Sequence, residues 1–340
     1  MDQGECAGTW APAEERSEVR AVIVAVVVLF YPKLLLLERL LASLVGQVDC
    51  AVAVDNTPGS STVLPRFFER FPFGVSHVRL GENGGIAEAQ NVGIREGVRR
   101  GCTHVLLLDQ DSVLAPGMVS KLLFAESGLL KAGEKVAAVG PRYLDEKTGT
   151  PSCAISRGWL VVHKFRLDPS LDEPVETDNL IASGSLIRST VLEFIGLMRS
   201  DLFIDFVDTE WGLRARDRGY KSYCVPSAVM THSTGDAATT VFGKEVYVHS
   251  DLRGYYKLRN AVYLLRLPSM GLRWRGYTIR WIPYFFLQRL WVSKGKVRSA
   301  RFLLSAVWDG LHGELGPAPH CLAAPRVSGD EPALSAGDGR

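Results

Sequence analysis

The sequence has no C-x-x-C pair. Its six cysteines (Cys6, Cys50, Cys102, Cys153, Cys224 and Cys321) are scattered, which excludes a disulfide framework and a clustered zinc site. It also lacks an apolar stretch long enough to cross a bilayer, since the richest run, "AVIVAVVVLFYP", is short, dominated by valine and closed by Pro32. The first twenty residues, "MDQGECAGTWAPAEERSEVR", have neither the basic start nor the apolar middle of a secretory signal, so a cytoplasmic location is expected. The glycine-rich segment "GENGGIAEAQNVG" matches neither the G-x-G-x-x-G nor the G-x-x-x-x-G-K-[ST] pattern, and a dehydrogenase or a nucleotide-hydrolysing motor is not supported. Acidic residues are missing altogether from Leu252 to Trp308. That segment carries 12 Lys and Arg, leaving 27 basic against 37 acidic residues elsewhere although the whole chain is only +2. Such segregation points to an anionic partner for the C-terminal part.

What is present is a core. At 340 residues and 46% hydrophobic content the chain can form one large or two modest domains. Runs reading as strands ("AVIVAVVVLF", "DCAVAVDNT", "VSHVRL", "HVLLLD", "KVAAVGP") alternate with helical ones ("LLLLERLLASLVGQ", "TVLPRFFERF", "IAEAQNVGIREGVRRG", "PGMVSKLLFAESGLLKAG"). This alternation predicts an α/β fold with a mostly parallel sheet covered by helices on both faces. Further along, "DNLIASGSLI" and "KSYCVPSAVMTH" read as strands, with a helix near "FIDFVDTEWGLRARDRGY" between them. The expected organisation is a flexible N-terminus (1–19), a catalytic domain (20–250), a basic aromatic helical region (251–315) and a disordered tail (316–340) rich in Pro, Gly, Ala and Ser.

The chemistry-bearing residues collect where strands end. "LLLDQDS" runs a buried strand into Asp109 and Asp111, at the edge where open α/β sheets bind ligands. Two carboxylates held close repel unless a cation lies between them, and hard oxygen ligands suit Mg²⁺ or Mn²⁺ bridging to phosphate. The alternative is a solvated turn. Asp55 ends another strand and either accepts the imide N–H of a pyrimidine base or caps a turn. Asn83, Gly84 and Gly85, with Asn91 and Gly93, precede or open a helix, where glycines let backbone N–H groups approach an anionic ligand. Asp205, Asp208 and Glu210 flank large apolar residues; on a helix the first two share a face, and a partly buried carboxylate is the better candidate base. His232 closes a strand, either as a structural residue or as a contact to metal or diphosphate.

Taken in order, "AVDNT", "NGGIAEAQNVGI", "LLLDQDS", "IASGSLI", "FIDFVDTEWGLRARDRGY" and "YYKLRNAVYLL" resemble family 2 inverting glycosyltransferases, and within them bacterial rhamnosyltransferases, over roughly Val22 to Leu265. The resemblance implies a GT-A-like, Rossmann-type fold. Asp55 would contact the base, Asp109 lie near the ribose and diphosphate, and Asp111 ligate the divalent metal. Asp208 matches the catalytic base. Ser183, Gly184 and Trp211 match positions lining an acceptor pocket. The family usually has Glu-Asp at the base where this chain has Val207-Asp208, which leaves Asp205 or Glu210 to share the supporting role. The implied donor is a nucleotide-diphospho-sugar, dTDP-L-rhamnose ahead of UDP-galactofuranose, and the implied acceptor is a glycan or polyprenyl-linked saccharide.

Two other classes fit parts of the sequence. A sugar nucleotidyltransferase needs a Gly-, Arg- and Lys-rich loop after the first strand, where this chain reads "YPKLLLLERL". A non-enzymatic membrane-surface protein accounts for Leu252 to Trp308 but gives the ordered acidic motifs no purpose, and no nucleic-acid motif is present. The aromatic basic segment (Trp274, Tyr277, Trp281, Tyr284, Phe285, Phe286, Trp291) reads either as a helix pair on the anionic inner face of a cell membrane or as a helical cap with snorkelling arginines.

Overall fold

Ile23–Leu29 contains no polar residue, and in the computed structural model it is the central strand β1, buried along its whole length. The structure describes residues 20–59, 64–146, 153–157, 162–168, 170–171, 173–232, 238–241, 244–247, 250–293 and 295–319. The expected flexible N-terminus and the tail beyond residue 319 lie outside the described residues.

The alternation then proceeds as read: α1 (Leu34–Leu44), β2 (Cys50–Asp55), α2 (Leu64–Phe68), β3 (Val75–Arg79), α3 (Gly85–Arg99), β4 (His104–Asp109), β5 (Ser112–Leu114), α4 (Met118–Lys131) and β6 (Val136–Asp145). Shorter elements follow: β7 (Cys153–Arg157), β8 (Val162–Arg166), β9 (Val175–Thr177), β10 (Leu186–Arg188), α5 (Ser189–Ile195) and α6 (Val207–Asp217). The chain ends with β11 (Lys221–His232), the hairpin β12 (Ala238–Val241) and β13 (Lys244–Tyr247), and helices α7 (Asp251–Leu264), α8 (Gly271–Val292) and α9 (Lys296–His312).

The main sheet has the order β3-β2-β1-β4-β10-β6-β11-β5, with β9 also on β11. β3, β2, β1, β4, β6 and β11 run in one direction, and the short β5, β9 and β10 run against them. The mostly parallel α/β sheet is therefore as expected from the pattern. Alternate residues of β1 feed two cores: Ala25, Val27 and Leu29 pack with α1, α2 and α4, and Val24, Val26 and Val28 with α3, α5 and α6. Burying each such Val or Leu contributes roughly 1.5–3 kcal/mol, so a strand covered on both faces has to be apolar throughout.

The expected strand over "DNLIASGSLI" shrinks to Leu186–Arg188. A tight turn precedes it, closed by Ser185 N–H donating to the Ala182 carbonyl at 2.9 Å.

Helices α7 to α9 build a third core from Tyr255, Tyr256, Leu258, Phe285, Phe302 and Leu303, joined by Phe203 from the loop before α6. The start of the expected disordered tail is docked on this assembly, with Gly316 N–H donating to the Asp201 carbonyl at 2.6 Å and Ala318 N–H to the Tyr256 hydroxyl at 2.8 Å. Among the described residues no helix is long and apolar enough to cross a membrane.

Candidate active site

The chain leaves β1 for β2 and β3 on one side and returns to β4 on the other, so a topological switch point lies at the carboxyl ends of β1, β2 and β4. That is where open α/β sheets place ligands. Register puts Asp55 opposite Leu29 and Asp109 opposite Val28, so the two carboxylates flank the last turn of β1.

Gln110, between the two aspartates, explains the spacing of that motif. Its side chain accepts from Phe30 N–H at 2.8 Å and donates to the Phe30 carbonyl at 3.1 Å, tying the end of β4 to the end of β1. Asp109 and Asp111 are half-buried on either side of this tie. Beneath them Ser183 accepts from Asp109 N–H at 3.1 Å and lies 2.7 Å from the Ser112 hydroxyl. The backbone of β11 carries His232 directly opposite Ser112, one residue past Asp111.

Asp55 is buried and, of the two roles the sequence left open, makes the turn cap. Its Oδ1 accepts from Thr57 N–H at 3.0 Å, a turn cap, while Oδ2 lies 3.7 Å from His77 Nε2. His77 was not singled out from the sequence, where it is one residue of a strand-like run. Its Nε2 makes no hydrogen bond, and burial lowers its pKa, with the Asp55 charge opposing that shift. Phe30 and Tyr31 were missed as well. They stand exposed at the end of β1, edge to face with ring centroids 4.8 Å apart, and Tyr31 holds a positive φ of 46°.

The glycine segment is used differently from the anion cradle expected of it. Gly84 N–H donates to Asn56 Oδ1 at 2.8 Å, Gly85 N–H donates to Asn83 Oδ1 at 3.0 Å, and Asn56 Nδ2 donates to the same Asn83 oxygen at 3.0 Å. Both amides are thus committed inside the loop. Gly85 is instead required by a neighbour: it has φ +83°, and a Cβ there would stand 2.5 Å from the Phe203 carbonyl oxygen. Asn91 is likewise structural, bonding both the N–H and the carbonyl of Met198, and Gly93 lies against Val26 of β1.

Asp208 sits in the first turn of α6, half-buried. Burial pushes its carboxyl above the usual carboxylate range and the charge of Asp205 pushes the same way, against hydrogen bonds from Thr209 N–H (2.7 Å) and the Ala182 amide. Its neighbours correct two expectations. Asp205 is not on the helix face; it precedes α6 at φ +62° and pairs with Arg253 at 3.3 Å. Glu210 is paired with Arg214 at 2.9 Å, which donates in turn to the Ile195 and Leu197 carbonyls.

Asp208 and Trp211 line a narrow pocket with Thr177, Asp178, Ala182 and Arg216. Trp211 is held there by its Nε1–H donating to the Gly196 carbonyl at 2.8 Å. Ser183 and Gly184, expected along the same wall, are buried under the aspartate turn. Ser183 bonds Asp109 and Ser112 there, and a Cβ on Gly184 would stand 2.7 Å from Pro141. Their contacts support the turn rather than an open wall.

Among the described residues no group of three or more His, Cys, Asp or Glu side chains is assembled to hold a metal alone. Asp109 and Asp111 nonetheless fit a divalent ion shared with a phosphate ligand, because Mg²⁺-type sites commonly take one or two carboxylates and complete their shell with phosphate oxygens and water.

The fold belongs to a known class. The chain is a member of glycosyl transferase family 2, whose model matches residues 25–193. It is 30% identical over 299 residues to a dTDP-rhamnosyl transferase, RfbF, of Shigella flexneri, covering 86% of this chain and 97% of that protein. It is 25% identical over 260 residues to the galactofuranosyltransferase GlfT2 of Mycobacterium tuberculosis, covering 68% of this chain and 38% of that much longer protein. In fold it is similar to crystal structures of GalNAc-T7 with UDP, GalNAc and Mn²⁺ (TM-score 0.56, 14% identity, 81% of this chain and 57% of that one). It is similar also to S. aureus TarS (TM-score 0.53, 12% identity, 85% of this chain and 49% of that one).

Proposed function

We propose that the protein is an inverting rhamnosyltransferase that moves L-rhamnose from dTDP-L-rhamnose to a hydroxyl of a glycan or polyprenyl-linked saccharide in cell-surface polysaccharide synthesis. The single observation that carries the reading is near-full-length similarity to a dTDP-rhamnosyl transferase, joined to a half-buried Asp208 of raised pKa beside a pocket. The more distant likeness to a galactofuranosyltransferase supports UDP-galactofuranose as the alternative donor.

In this reading Asp55 receives the imide N–H of the pyrimidine, with Phe30 and Tyr31 offering ring faces beside it. Asn83, Gly84 and Gly85 form the wall of the donor crevice, held in shape by Asn56. Asp109 lies along the ribose and diphosphate. Asp111 with Asp109, and His232 from the adjacent strand, hold Mg²⁺ or Mn²⁺, which supplies positive charge against the leaving diphosphate when bound. Asp208 accepts the proton of the acceptor hydroxyl while that oxygen bonds the anomeric carbon from the face opposite the departing nucleoside diphosphate, inverting the centre. Its raised pKa brings the carboxylate closer to the working pH, where a base is most effective. The pocket with Trp211 receives the acceptor sugar, and Ser183 and Gly184 act by holding the aspartate turn behind it.

The C-terminal helices place the enzyme on the anionic inner face of the cell membrane. Trp274 and Phe285 are buried and Trp281 and Phe286 partly so, packing as a cap, while Leu272, Ile279, Tyr284, Leu287 and Trp291 of α8 and Leu304 and Trp308 of α9 stay exposed. Exposed Arg273, Arg280, Lys296 and Arg301 lie on the same helices, the combination that interfacial helices present to anionic lipid.

Calorimetric titration with dTDP and with UDP, each with and without Mn²⁺, on wild type and Asp111→Ala tests the site. Metal-dependent binding of dTDP that disappears in the variant is expected. Tighter UDP binding would move the donor to UDP-galactofuranose, and binding of neither nucleotide would overturn the reading.

A further inference from the structure

The loop that delivers Asp208 is strained. Phe203, Asp205 and Phe206, none of them glycine, all have positive φ (66°, 62° and 63°), and Ile204 N–H donates to the Leu202 carbonyl at 2.8 Å to close a γ-turn centred on Phe203. Such conformations persist only where surrounding structure over-determines them.

The over-determination comes from two sides. From below, α3 holds the segment leading into the loop: Asn91 bonds both backbone groups of Met198, the Ser200 hydroxyl donates to Glu88 at 2.6 Å, and Gly85 lets the Phe203 carbonyl approach. From above, one side chain of α7 does most of the work. Asn260 is 0% exposed, and the two N–H groups of its Nδ2, one of them shared, serve the carbonyls of Leu202, Ile204 and Asp205, each at 2.9 Å. Arg259, also 0% exposed, fixes the Asn260 amide through a 3.0 Å bond from its Nε to Asn260 Oδ1, and adds a second side-chain donor to the Leu202 carbonyl at 3.1 Å. At the outer end Arg253 pairs with Asp205.

We infer that Asn260 is a positioning residue for the reaction: by gathering the carbonyls of Leu202, Ile204 and Asp205 onto one buried amide, it holds the strained loop in the conformation that presents Asp208 to the acceptor. It touches neither donor nor acceptor and acts through Asp208, so the inference rests on Asp208 being the base. The function it assigns to the "KLRNAVYLL" segment is catalytic alignment, carried out by a helix outside the residues matched by the family model.

The test is steady-state turnover of dTDP-L-rhamnose with Mn²⁺, followed as the dTDP released while the rhamnosyl group passes to an octyl rhamnoside acceptor, or to water where that glycoside is refused. Asn260→Leu keeps the approximate side-chain volume and removes the three bonds. It is expected to lower kcat by ~10- to 100-fold, the scale of a misplacement of about 1 Å, with the donor KM within about threefold of wild type. Arg253→Gln, at the exposed end of the clamp, keeps the question open to test if Asn260→Leu does not fold, and should lower kcat by a smaller factor with the same unchanged KM. Wild-type kcat in both, or loss of activity tracking loss of dTDP binding in calorimetry, would overturn the inference. Asp208→Asn is measured beside them. Full activity in Asp208→Asn would remove the base assignment itself, whereas an inactive Asp208→Asn with unaffected Asn260→Leu and Arg253→Gln removes only the clamp.

Discussion

Replacing Gly85 by alanine separates two costs that this site combines. Gly85 has φ +83°, and the added Cβ would meet Phe203 at three atoms between 2.5 and 2.9 Å, two of them backbone. The left-handed conformation alone costs an L side chain roughly 1–2 kcal/mol. Forcing a methyl against backbone costs a further ~1–3 kcal/mol, because a clamped loop cannot give way as a flexible side chain would. The whole change should therefore destabilise by about 2–5 kcal/mol, a fall of roughly 4–10 °C in thermal midpoint at about 2 °C per kcal/mol for a chain of this size. Gly101, just past the other end of α3, is the internal control: its φ is +77° and a Cβ there meets nothing within 4 Å. Gly101→Ala should cost only the conformational part, a fall of ~2–4 °C. Differential scanning fluorimetry on the two variants gives the difference, which is the close approach between the Gly85 loop and the Phe203 loop. Gly85→Ala should also lose about tenfold or more in kcat, since the displaced atoms lie two residues from Asp205. Equal midpoints for the two variants, or unaltered kcat in Gly85→Ala, would refute the claim that the two loops are pressed together.

Asp208→Asn should lower turnover by roughly 10²- to 10⁴-fold, the usual contribution of a general base, while raising the thermal midpoint of the ligand-free protein at neutral pH. The sign follows from the raised folded-state pKa: the stability associated with a protonated Asp208 is fully present below the unfolded value of 3.8 and is lost as pH rises through the folded one, so a neutral amide spares the fold that cost. A midpoint gain that shrinks towards acidic pH is expected, and a variant less stable than wild type at pH 7 would contradict it. Flotation with anionic liposomes at low salt should recover the wild-type protein, and Leu287→Glu with Trp291→Glu, both exposed on α8, should abolish recovery without lowering the thermal midpoint. Failure of the wild type to float would leave α8 and α9 as a cap alone.

The sheet was legible because β1, β2 and β4 are buried on both faces, which leaves apolar runs that end abruptly in Asp55 and Asp109. A strand-end carboxylate after such a run is visible in one dimension. Contacts between distant segments are not. The pairing of Asp55 with His77, the tie from Gln110 to Phe30, and the Asn260 clamp span 22, 80 and at most 58 residues, and no local pattern encodes them. The placement of Asp205 failed for a related reason. A spacing of three suggests one helix face, but the chain packed on the C-terminal core through Phe203 has positive φ at Phe203, Asp205 and Phe206 and turns helical only at Val207. Glycine-rich text before a helix likewise suggested an anion cradle, when the amides are consumed by Asn56 and Asn83.

The docking of Gly316 between Asp201 and Arg259, with bonds of 2.6 Å to each, sets where this enzyme can be cut and spliced. The element order alone puts the junction for exchanging C-terminal helices between relatives near Asp251, where the strands end. Such a chimera would carry one parent's loop and another parent's clamp. Junctions placed within α8 and α9 on their exposed sides, with α7 and residues 316–318 kept from the parent that supplies Asp208, exchange the outer surface and leave the loop before Asp208 with its own supports.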